Sequence, residues 1–138
     1  MPTLIYPNAG SLKVAEVMRT ALADAELRLF KAGAGIVLQP TTTLAQLAAA
    51  EADYTGYSAA TIAAWLPPLL SPLGGASIES GTVQFQTQSP YTVGNTIQGW
   101  YLVDGGGGLI VCGDFPQTIA MLGNGDGIPM NLQLVFGG

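Results

Sequence analysis

A period of two governs the end of this chain. Met130, Leu132, Leu134 and Phe136 fall on one side of an extended backbone, and Asn131, Gln133 and Val135 on the other. Val83, Phe85 and Thr87 alternate with Gln84, Gln86 and Gln88 in the same manner. Successive side chains of a strand point to opposite faces, so this pattern predicts strands covered on one face by a core. Residues 59–66, 76–88, 96–103, 109–113 and 128–136 all read as strands, and Gly, Pro or Asn punctuates them. Several short strands at regular spacing predict a mainly β fold, a β-sandwich or a jelly-roll-like barrel occupying about 59–136, rather than a βαβ sheet.

The first half is different. Ser11, a good N-cap residue, follows a turn at Pro7-Asn8-Ala9-Gly10. After it, Leu12, Val14, Ala15, Met18, Ala21 and Leu22 recur at helical spacing. This predicts an N-terminal amphipathic helix over about 12–23, with Lys13, Glu16 and Arg19 on its outer face. Residues 26–31 alternate like a strand, and 32–40 read as a loop with a short extended piece at 36–38. Thr42 or Thr43 caps a short helix over about 44–50. Residues 61–75 hold Pro67, Pro68 and Pro72 among several leucines and read as an extended arm suited to lie on a neighbour. At 138 residues the chain suits a single domain, 1–138.

Charge narrows the function. Only 9% of the residues are charged while 49% are apolar, against roughly 25% charged in an average soluble protein. Such a surface is expected to be covered by other subunits, so the isolated protein is expected not to be a monomer. All four cations, Lys13, Arg19, Arg28 and Lys31, lie in the first 31 positions. The six later carboxylates, Glu51, Asp53, Glu79, Asp104, Asp114 and Asp126, have no cation in their own region and are expected to be solvated rim charges. So few cations argue against nucleic acid and against an anionic membrane surface. The prolines of 61–75 break the richest apolar run below the roughly 20 residues of a membrane helix. The uncharged first ten residues do not read as a leader.

Reactive constellations are scarce. The chain has no His, which removes the commonest general base and most zinc sites. Cys112 is the single cysteine and, after Leu109, Ile110 and Val111, reads as a small buried residue with no neighbouring cation to activate it. Glu51 and Asp53 read as a solvated helix end rather than a catalytic pair. Gly105 to Gly108 lacks the Lys-Ser/Thr of a phosphate loop and reads as a hairpin connection. The glycine-rich stretch around Asp126 offers one carboxylate, too few for calcium. No catalytic, cofactor-binding or metal residue is therefore expected, no cofactor, and no enzyme activity. Trp65, Trp100, Tyr54, Tyr57, Tyr91 and Tyr101 read as core or interface packing, with a sugar-binding platform as the alternative.

Three segments carry a resemblance: Leu27-Arg28-Leu29-Phe30-Lys31, then Glu51-Ala52-Asp53-Tyr54-Thr55-Gly56-Tyr57-Ser58-Ala59, then Gly99-Trp100-Tyr101-Leu102-Val103-Asp104. Their order resembles that of small structural proteins encoded by tailed bacteriophages near their head and tail genes. The resemblance covers roughly residues 27–136. It implies a virion component made in the host cytoplasm, a decoration or cement protein on the capsid shell. Its implied partners are further copies of itself, a trimer among the options, and the major capsid protein. A tail or spike component that recognises a host glycan is the alternative. Physically, Gly56 tolerates positive φ and lets Tyr57 enter the next strand.

Overall fold

The computed structural model describes residues 7–72 and 74–136. In chain order its elements are α1 (Asn8–Ala21), β1 (Ala25–Lys31), α2 (Leu44–Ala49), β2 (Ala60–Ile62), β3 (Leu69–Leu70), β4 (Ala76–Gln86), β5 (Asn95–Val103), β6 (Leu109–Met121) and β7 (Gly127–Phe136). The fold is mainly β and sandwich-like in class, with one N-terminal helix and one short helix as expected. Among the described residues there are two antiparallel sheets, of order β2-β1-β5-β6 and β3-β4-β7, and neither closes into a barrel. The chain divides into two compact units. One is drawn from 1–24, 62–83 and 130–138, the other from 25–61 and 84–129.

In the first unit α1 starts earlier than its sequence suggests. Pro7, with φ −58°, takes the N-cap position and its carbonyl accepts the first helical bond from the Ser11 amide at 3.0 Å. The fixed proline φ favours helix entry, so Asn8 to Gly10 form the first turn instead of a separate one. Ser11 is consequently not the cap. It lies inside the helix, buried, and its hydroxyl has no hydrogen-bond partner. Ala15 and Leu22 are buried along with it.

The proline-rich segment is not a free arm. Trp65 is buried, and its indole N–H donates to the Leu22 carbonyl at 2.9 Å. Arg19 Nη1 donates to the Trp65 carbonyl at 3.2 Å, and the Leu66 amide to the Glu79 carbonyl at 2.8 Å. Leu69 and Leu70 then pair with Ser77 and Ala76. The segment is thus built into its own unit, while the side chains of Leu66, Leu69 and Leu70 remain exposed. Prolines suit this use because each lacks an amide to satisfy, and here the expected strand shrinks to Ala60–Ile62.

The second unit is organised on β5, which pairs with β1 on one side and β6 on the other. Its core gathers Phe30, Leu47, Ala50, Tyr101 and Val103, with Ile36, Leu38, Leu44, Leu109 and Cys112 packed against them. Thr43 caps α2 through a capping box: its hydroxyl accepts from the Gln46 amide at 3.3 Å, and the Gln46 side chain accepts from the Thr43 amide at 2.9 Å. Residues 36–38 form no strand. Ile36 and Leu38 pack against the core from coil, and the Ile36 carbonyl accepts from Gln98 Nε2 at 2.8 Å.

β6 continues beyond Gly113 to Met121 despite Pro116. The register explains this, because Gly99 faces Asp114 while Ile97 faces Ile119, leaving 115–118 opposite Gln98 alone. Pro116 therefore sits in a bulge on a border strand, where a missing amide breaks no ladder bond.

Candidate functional site

The three segments of the resemblance meet at one carboxylate. α2 ends at Ala49, and the chain then runs beside β1: the Lys31 amide donates to the Ala50 carbonyl at 2.8 Å and the Ala52 amide to the Leu29 carbonyl at 2.9 Å. Glu51, bridged to Phe30, is thereby held next to Arg28 of β1. Tyr101 is the β5 partner of Arg28 in register. Gly56, at φ +96°, turns the chain so that Tyr57 reaches back instead of entering a strand, and a Cβ at Gly56 would stand 2.7 Å from Gln88.

Glu51 Oε1 accepts from Arg28 Nη1 at 3.3 Å and from the Tyr101 hydroxyl at 3.1 Å, while Oε2 accepts from the Tyr57 hydroxyl at 2.8 Å. The Tyr57 hydroxyl also accepts from the Leu29 amide at 3.2 Å. Arg28 is shared, its Nη2 lying 2.7 Å from Glu26 Oε2. The bond to Glu26 raises the Arg28 pKa, against the opposing effect of burial. Burial, and then the Glu51 charge, pushes the Tyr101 hydroxyl up to about 12, and burial raises Tyr57 further. Both hydroxyls are donors that keep their protons, and the guanidinium keeps its charge. Every polar group of the cluster is occupied by another, so its chemistry is that of a tie rather than of an acid, base or ligand.

The carboxylates expected on a solvated rim also find partners within the chain, Asp53 while its side chain is 63% exposed. Asp53 Oδ1 accepts from Asn95 Nδ2 at 2.8 Å and Oδ2 lies 3.4 Å from Lys31 Nζ. The Asn95 bond foremost, and then Lys31, holds the Asp53 carboxyl below its usual range. Asp104 Oδ1 accepts from the Gly106 and Gly108 amides at 3.0 and 2.8 Å, so the glycine run is a self-tied hairpin turn. Asp126 Oδ2 accepts from the Leu122 and Gly123 amides at 3.1 and 3.0 Å, which turns it into its own loop. Among the described residues no three His, Cys, Asp or Glu side chains are grouped to hold a metal ion, and no helix is long and apolar enough to cross a membrane.

Remaining candidates also resolve into packing. Cys112 is half-buried, and burial, then Asp114, pushes its thiol up, away from the reactive thiolate. The rings of Tyr54, Trp65 and Tyr101 are closed to solvent, and Tyr91 donates its hydroxyl to the Met121 carbonyl. The aromatics therefore do not present a common flat face. A depression of about 580 Å³ beside α2 is lined by Ala34 to Val37, Gln39, Gln46 and neighbours, and carries no charged side chain. Sequence reasoning missed the cluster because its members stand far apart in the chain and Glu51 reads locally as a helix end. The one available signal was that each member lies in a segment of the resemblance. No family model, curated protein or solved structure matches this chain.

Proposed function

We propose that the chain is a non-enzymatic structural subunit of a tailed-phage virion, a capsid decoration or cement protein that stabilises the shell by binding major capsid subunits. The observation that carries this reading is the open apolar surface. Val17 and Leu69 in the first unit and Val37 in the second are 59%, 63% and 73% exposed, with Leu66, Leu70, Ile110, Leu122 and Val135 also open. With charges this few, such side chains suit a surface that is covered in use. The polar residues support the same reading, since Arg28, Glu51, Tyr57 and Tyr101 are spent on holding three segments together. The order of those segments resembles that of the phage structural proteins.

Cryo-electron microscopy of particles that carry the chain tests this. Density for the chain at many equivalent positions on the outer shell is the expected result. Density confined to the tail, or particles from which the chain is missing, would overturn it.

A further inference from the structure

We propose that the depression beside α2 is a peptide-binding groove, in which an extended, uncharged segment of a partner protein pairs with the backbone of Val37. The inference deepens the assembly reading by naming the kind of segment the chain grips, and it rests on that reading only for the partner being a virion subunit.

The groove lies between two pieces of the second unit. One wall is the coil from Ala34 to Val37, and the other is α2 through Gln46 and Ala49. The space is about 580 Å³, within the ~300–1,000 Å³ of ordinary ligand sites. Ile36 and Leu38 pack against the core, while Val37 between them is 73% exposed. That alternation is the habit of a strand, yet among the described residues no strand pairs with it. In an extended backbone the amide and carbonyl of successive residues turn to opposite sides. The Ile36 carbonyl is turned to β5, where it accepts from Gln98 Nε2. The amide and carbonyl of Val37 therefore point the other way, and among the described residues neither has a hydrogen-bond partner.

This chemistry selects the occupant. A free donor and a free acceptor on one residue are met by the carbonyl and amide of one guest residue, as in strand addition. The register is fixed, because the next amide on that side, Gln39, is already taken by the Thr42 hydroxyl at 2.9 Å. On the other side Gly35, at φ +73°, ends the extended backbone. The guest is uncharged, since the polar groups around it belong to glutamines and threonines and a buried charge would find no counter-ion. A glycan fits less well, because the lining holds neither an aromatic ring to stack on nor a carboxylate to bind hydroxyls.

The test is a titration of the labelled full chain, followed by its amide NMR spectrum, with a blocked pentapeptide of alternating threonine and valine. Saturable shifts confined to residues 35–39 and 46–50 are expected, with a dissociation constant of about 1 mM. A twin peptide methylated at every backbone nitrogen should not bind. Val37→Pro removes the amide donor but no bond within the chain, so it should keep the melting temperature and weaken binding at least roughly tenfold. Val37→Thr, which keeps the amide, should bind within about twofold of the wild type. Ala49→Trp, at an exposed helix position, should block the groove. No saturable shift up to about 10 mM, equal binding of the methylated twin, undiminished binding by Val37→Pro, or shifts from maltotriose with the peptide silent would each overturn the proposal. Failure of the groove would leave shell attachment through the exposed apolar side chains standing, and absence of the chain from particles would leave the peptide titration unchanged.

Discussion

Glu51 ties three parts of the second unit, because its two oxygens serve β1, β5 and the segment after α2 at once. Glu51→Ala would leave Tyr57 and Tyr101 with buried hydroxyls to re-solvate. A loss of about 2–3 kcal/mol is expected, as for hydrogen bonds to a charged group. Tyr57→Phe should lose only about 1 kcal/mol. Urea unfolding followed by tryptophan fluorescence measures both, and a change within about 0.5 kcal/mol for Glu51→Ala would show the cluster to be idle. A pH dependence follows from the buried tyrosines. Burial pushes Tyr54 and Tyr101 up to about 12 from an ordinary 10.0. The unfolded chain gives up these protons first, so rising pH favours unfolding: the contribution is complete below the ordinary value and is lost progressively toward about 12. The urea midpoint should fall between about pH 9 and about pH 11, and a flat profile would contradict the buried, neutral hydroxyls.

At the scale of elements, β5 is tightly fitted at Gly99. A Cβ at Gly99 would stand 2.2 Å from the Gly113 carbonyl oxygen and 2.6 Å from the Phe30 ring, so both neighbouring strands crowd this position. Gly99→Ala should cost about 3 kcal/mol, at the upper end for overpacking. Gly106→Ala, in an exposed turn where the nearest atom would be 3.4 Å away, should cost about 0.5 kcal/mol or less. Equal losses in thermal unfolding would argue against a steric origin. Thr43→Ala should remove about 1 kcal/mol with the α2 cap, read as a lower melting temperature. These elements differ in how far the sequence announced them. β7 was legible because its alternation is uninterrupted, the far half of β4 because Val83 and Phe85 alternate with Gln84 and Gln86, and α2 because a threonine cap stands before Leu44 and Leu47. The far half of β6 was not, since Pro116 is a local stop signal and only the partner strand reveals the bulge that accommodates it. Ser11 was misread because capping residues and small core residues share a composition. The Glu51 cluster stayed hidden because its cation comes from β1, outside the cation-free stretch in which a partner was sought.

For the molecule as a whole, three of its four cations are already engaged with carboxylates of the same chain. Attachment to a larger assembly is therefore expected to rest on apolar contact, which strengthens modestly in excluded salts, whereas exposed ion pairs fade as the screening length shortens to roughly 3 Å at 1 M. Assemblies washed in about 1 M NaCl should retain the chain. Complete release there, with retention at low salt, would mean that Lys13 and its neighbours carry the attachment. The path of the chain through its two units has a further consequence, for synthesis. The second unit is complete in sequence once Pro129 has been made, but the first draws its last strand from residues beyond it. The ribosome thus delivers α1 first and the strand that completes its unit last, so the oldest helix waits longest for its fold. Contacts this distant in sequence form slowly, and a released chain ending at Pro129 would hold every residue of the second unit while the first lacked Met130 to Phe136.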